Sequence, residues 1–170
     1  HLMSLRLGMI LSCDCTENVL ELLRTELHLE FIRIQNITFS KQLSDDEMLI
    51  EATGLYDDSK TGIGSFDIYN KDISEIKERY KNDPYAYHVV VDEYLDRRDA
   101  YRKDALKWLD IIKSMRWKYS ISKVGLFYFD GYDITARIKF PIYIRKYYIL
   151  DETNEYDLMK IGNCEIAFFE

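Results

Sequence analysis

Residues 86–116 read AYHVVVDEYLDRRDAYRKDALKWLDIIKSMR, and this stretch decides the fold class. Val91, Leu95, Arg98, Arg102, Ala105, Leu109, Ile112 and Arg116 recur at roughly 3.5-residue spacing. Tyr94, Tyr101, Trp108 and Met115 run beside them. The apolar members of both sets form one broad stripe along a long helix that no proline interrupts. Such a stripe has to be buried, and the face of a β-sheet is the simplest surface to bury it. On its N-terminal side, Asn82-Asp83-Pro84 breaks a shorter helix expected over 73–81, with Asp72 as its cap and Glu75 at the capping-box position.

Working outward, strand signals lie on both sides of this helix. Residues 6–13 are mostly apolar and predict a buried strand. Thr16 is the expected N-cap of a helix over 17–28, whose Val19, Leu20, Leu23 and Leu27 share one face. Residues 30–39 alternate and are rich in β-branched and aromatic side chains, so they predict a strand. Residues 48–56 and 63–70 predict a hairpin around the loop at 57–62. Beyond the long helix, 124–129 and 133–140 flank Asp130-Gly131, a favoured hairpin pair. Further strands are expected over 142–150 and 164–169, with a short helix over 156–160 between them. The pattern predicts a single α+β domain: a mostly antiparallel sheet packed against one long amphipathic helix and one or two shorter helices.

The 170 residues fit one domain, taken as 3–170, with His1-Leu2 read as a cloning remnant. A composition of 47% hydrophobic and 31% charged residues is that of a globular chain with a sizeable core. No apolar run reaches the roughly 20 residues that span a membrane. Three cysteines cannot all pair, and Cys13-Asp14-Cys15 is too close for a bridge in a regular strand. Free thiols fit a reducing compartment, and a cytoplasmic location is expected. The net charge of −7 disfavours nucleic acid and anionic lipid and suits a basic partner. The 14 tyrosines suit half-buried surfaces and interfaces.

Several residue groups have the chemistry of a site. Cys13, Cys15, His28 and Cys164 are the residue types that hold zinc, but C-x-C is not the usual ligand spacing, and buried cysteines behave more often as small hydrophobes, so no metal is expected. Cys15, just before a helix, could be activated as a thiolate by the helix dipole. His88 and Asp92 are four apart on the long helix, as in a general-base pair, but no nucleophile motif accompanies them. Asp92, Asp96 and Asp99 form a carboxylate row, and Glu93–Arg97 and Asp99–Lys103 make it an ion-paired helix face. Residues 58–64 hold the ingredients of a phosphate loop in the wrong order, with a strand expected next. Arg137, Lys139, Arg145 and Lys146 interleave with Tyr143, Tyr147 and Tyr148, a pattern that can stack single-stranded bases.

Acid is unevenly spread. Asp45, Asp46, Glu47, Glu51, Asp57 and Asp58 make one cluster, and Asp151, Glu152, Glu155 and Asp157 a second. Brought together, they would steer a basic protein inward. The sequence therefore favours a non-catalytic protein-binding module over an enzyme. Its concrete form is an immunity or antitoxin-like inhibitor of a basic partner such as a toxin, with no cofactor. The expected partner-binding residues are Asp45, Asp46, Tyr56, Asp57, Asp58, Tyr128 and Tyr132, with Trp108 and Trp117 as candidate anchors. The alternatives are a small-molecule binder or enzyme using His88 and Asp92, and, third, an RNA-binding domain on the strands at 134–148.

Overall fold

The computed structural model of the chain describes residues 5–27, 29–54, 73–130, 140–162 and 164–170. In order along the chain, the elements are β1 (Leu5–Ser12), α1 (Glu17–Leu27), β2 (Leu29–Ile34), α2 (Ile37–Ser40), β3 (Glu47–Gly54), α3 (Ile73–Arg79), α4 (Pro84–Lys113), β4 (Val124–Asp130), β5 (Ile144–Tyr148), α5 (Glu155–Met159) and β6 (Glu165–Phe169). The strands form one six-stranded sheet in the order β2-β3-β1-β4-β6-β5. Every neighbouring pair is antiparallel except β5 with β6, which is parallel and is joined through a 3₁₀ turn at Leu150–Glu152 and α5. This is the α+β architecture that the segregated strand signals predict.

Local signals account for most boundaries. The Thr16 hydroxyl accepts from the Val19 amide, capping α1. Asp83 accepts from the Ala86 amide and Pro84 occupies the first turn, so the residues that break the preceding helix also start α4 two residues earlier than the apolar stripe indicates. At the far end α4 runs into a π turn, Ser114–Lys118, closed by Ser120 in the left-handed region (φ 54°). Asn154 and Asp157 form a complete capping box on α5.

Strand alternation gives the sheet two different faces. On one, Leu7, Met9, Leu11, Ile50, Leu126 and Ala167 pack against Leu20 and Leu23 of α1, Trp108 and Ile112 of α4, and Leu158 of α5. Arg102 of α4 reaches Glu155 of α5 at 3.6 Å. The other face is aromatic: Phe127, Phe129 and Phe168 meet Phe39 from α2, with Phe140 and Tyr143. Phe39 stacks on Phe127 at 5.2 Å, and Phe140 meets Phe39 edge-on at 5.0 Å. Two glycines permit this. A Cβ on Gly8 would run into the Phe127 ring, and one on Gly125 would lie 2.8 Å from Phe168.

Three expectations are corrected. The strand expected over 30–39 ends at Ile34, because the Asn36 side chain accepts from the Phe39 amide at 2.9 Å and starts a helical turn instead. The hairpin expected for 48–56 is not how β3 is bonded, since β1 and β2 fill its two edges; 63–70 lies outside the described residues. The strand expected over 142–150 contracts to β5, because the chain turns into the 3₁₀ segment at Leu150. The second arm expected after Asp130-Gly131 falls mostly at 131–139, outside the described residues. No helix among the described residues is long and apolar enough to cross a membrane.

Candidate functional site: the acidic end of the sheet

Strand register shows which acids share an end of the sheet. Ser12 stands opposite Glu47, and Leu11 opposite both Met48 and Val124. Gly125 stands opposite Phe168, and Phe169 opposite Tyr148. The C-terminal ends of β1, β5 and β6 and the N-terminal ends of β3 and β4 therefore lie at one end. Asp14 follows β1, Asp45 and Asp46 precede β3, and Asp151 and Glu152 follow β5; all five are exposed. Asp45 and Asp46 of the first acidic cluster and Asp151 and Glu152 of the second, distant in sequence, thus border the same end of the sheet.

The first of these groups is held in place by a short network. The Cys13 amide donates to the Asp46 carbonyl at 2.8 Å. Asp14 accepts from the Ser12 hydroxyl and, at 3.3 Å, from the Ser122 amide. Burial pushes the Asp14 carboxyl up, but the Ser12 and Ser122 hydrogen bonds outweigh it and hold the group below its ordinary value. Lys123 sits among these acids and is committed to Asp46 at 3.3 Å and Glu47 at 2.9 Å.

Glu47 is the anchor of the acidic turn. Its side chain is 0% exposed. It accepts from both terminal nitrogens of Arg145 at 2.7 Å and from the Ser44 amide at 2.8 Å, in addition to Lys123. Burial is the largest single influence and raises its pKa; Arg145, the Ser44 amide and Lys123 outweigh it and leave the carboxyl at about 2. Arg145 also donates to the Gln42 carbonyl at 2.6 Å and lies over the Phe168 ring at 5.0 Å. Gln42 bonds Pro141 and Tyr143 at 2.8 and 2.9 Å, tying the acidic turn to the chain that enters β5. β3 and β5 are four strands apart in the sheet order. A flat sheet would place them roughly 19 Å apart, more than the two side chains span, so the sheet curls around its aromatic face.

The structure sorts the residues expected at a partner surface. Asp45 and Asp46 are exposed at the acidic end. Tyr128 is 1% exposed and belongs to the core against the helices, because alternation along β4 turns it inward with Val124 and Leu126. It is not a surface residue of this fold. Tyr56, Asp57, Asp58 and Tyr132 lie outside the described residues. Of the two tryptophans, Trp108 is fully buried and Trp117 is 55% exposed, with Lys113 over its ring at 5.9 Å. Asp14 and the Glu47–Arg145 pair were missed by sequence reasoning. Asp14 carried a local signal, an aspartate two residues after a serine at a strand end; the pair carried none, since its members are 98 residues apart.

The other candidates resolve as follows. Cys15 is 3% exposed, and burial, with Asp14 and Glu17 nearby, pushes its thiol up to about 11, opposite to an activated thiolate. Cys164 is level with Arg6 in the register, and Cys13 is seven residues further along β1. Roughly 20 Å of sheet separates them, so they cannot share a tetrahedral metal; His28 lies outside the described residues. Among the described residues no group of three His, Cys, Asp or Glu side chains could hold a metal ion. His88 is 82% exposed with Asp92 at 3.4 Å, on an open helix surface where a shallow hollow between α3 and α4 is lined by Lys77, Lys81 and Tyr87. Asp99 pairs with Arg102 and Lys103 at 3.3 and 3.2 Å, the ion-paired face expected of that helix. Among the interleaved cations, Arg145 is bonded to Glu47 and Lys146 to Glu165, Tyr143 is buried, and Tyr147 stacks on Phe168.

No protein-family model matches the chain, and no curated protein or solved structure matches it significantly.

Proposed function

We propose that this chain is a non-catalytic binding module that captures a basic protein at the acidic end of its sheet, in the manner of an immunity or antitoxin-like inhibitor. The observation that carries this reading is the convergence of Asp14, Asp45, Asp46, Asp151 and Glu152 on one end of the fold. A surface of one sign raises the encounter rate with a partner of the other. The turn that bears Asp45 and Asp46 is fixed beforehand by Glu47, so little ordering is left to occur on binding. Trp117, exposed on the turn that ends α4, has the size and amphipathic character of an interface anchor.

The test is co-purification from the cells in which the gene is native, comparing the wild-type chain with Asp45→Lys/Asp46→Lys. A basic protein retained in equal stoichiometry by the wild type and recovered at clearly reduced yield by the variant is the expected result. Equal recovery of the same protein by both chains would move the interface elsewhere. Recovery of RNA or a small molecule in place of a basic protein would overturn the reading.

A further inference from the structure

β2 is the edge strand on one side of the sheet among the described residues, and Ile32 in its middle is 47% exposed. An edge strand of this kind is a template for another strand unless something blocks it. Here an arginine occupies it. Arg24 of α1 donates through both Nε, at 3.1 Å, and Nη2 to the carbonyl oxygen of Phe31, in the centre of β2. Its remaining terminal nitrogen is held by Glu17 at 2.7 Å and Glu21 at 3.0 Å, both on α1. A strand carbonyl that takes two donors from a side chain has no lone pair left for an incoming amide.

We propose that Arg24 is an edge lock: its guanidinium, clamped by Glu17 and Glu21, keeps β2 from pairing with β2 of a second copy of this chain. The second copy is the fitting occupant because two-fold antiparallel pairing centred on Ile32 sets the two exposed Ile32 side chains directly opposite each other. Cβ atoms so paired lie about 5 Å apart, and each isoleucine removes the other from water. The same operation sets Phe31 opposite Arg33 on the other face and uses the Phe31 carbonyl that Arg24 now fills. The lock is independent of the acidic end and of any partner bound there.

Arg24→Ala tests this by sedimentation across a concentration series, with circular dichroism as the check on folding. The expected result is self-association at least tenfold tighter than that of the wild type, reversed when Ile32→Lys is added. A folded Arg24→Ala chain that associates no more than the wild type overturns the lock, as does association that persists with Ile32→Lys. Should Arg24→Ala fail to fold, Glu17→Gln/Glu21→Gln keeps the arginine stem packed and removes the clamp. Increased association of that variant, again reversed by Ile32→Lys, supports the lock; unchanged association overturns it.

Discussion

Glu47 shows how one buried charge organises a surface. Removing this carboxylate takes the ion-pair partner from Arg145 and leaves Lys123 to Asp46 at 3.3 Å. Arg145 and Lys123 keep 27% and 31% side-chain exposure, so water screens part of the loss. Glu47→Gln is therefore expected to destabilise the fold by about 2 kcal/mol, below the range for fully buried pairs. The pH dependence has a definite sign. The folded pKa of about 2 lies below the ordinary 4.5, so the stabilisation is complete above the ordinary value and is lost as pH falls from there through the folded value. Urea midpoints of wild type and Glu47→Gln should converge between those two pH values; a gap that persists at pH 2 would disprove the assignment. Ser120 is a second special residue, a non-glycine side chain in the left-handed region. Ser120→Gly is expected to raise stability by about 0.5 kcal/mol, the relief of strain exceeding the added entropy of the unfolded chain. A lower urea midpoint would contradict that.

At the scale of elements, the concave aromatic face depends on strands that carry no side chain where rings cross them. Gly8 of β1 lies beneath Phe127, and Gly125 of β4 beneath Phe168. Gly8→Ala is expected to cost about 2–3 kcal/mol, since a buried ring in a close-packed cluster has to move. Differential scanning calorimetry checks this, and an unchanged melting temperature would mean that the cluster is loosely packed. α4 shows the complementary case of an element written locally. At the rise of an α-helix its 30 residues span about 45 Å, and its C-terminal half carries the fully buried Ala105, Trp108 and Ile112. In its N-terminal half Leu95 is 44% exposed although it belongs to the same periodic set. The sheet core engages the later turns, so equal periodicity ends in unequal burial.

At the scale of the whole molecule, the net charge of −7 matters through its distribution. If the acidic end steers a basic partner, Asp45→Lys/Asp46→Lys should lower the association rate about tenfold at low salt and leave the dissociation rate nearly unchanged. Stopped-flow or surface-plasmon kinetics separates the two. A pure increase in dissociation rate would instead make these aspartates direct contacts. The steering effect should also fade at 1 M salt, where the screening length is about 3 Å.

The sequence by itself determined what depends on neighbours along the chain. The helices that form α1 and α4, the cap at Thr16, the strand character of 6–13, 124–129 and 164–169, and the acid excess were all legible, because periodicity and capping are set by backbone geometry over a few residues. Only the tertiary structure decided that Asp45 and Asp151 border the same end of the sheet, that Arg145 neutralises Glu47 from the far edge of the sheet, and that Tyr128 points inward. The physical reason is that strand order, register and curl are chosen by the packing of both faces at once. No local window of sequence contains that sum.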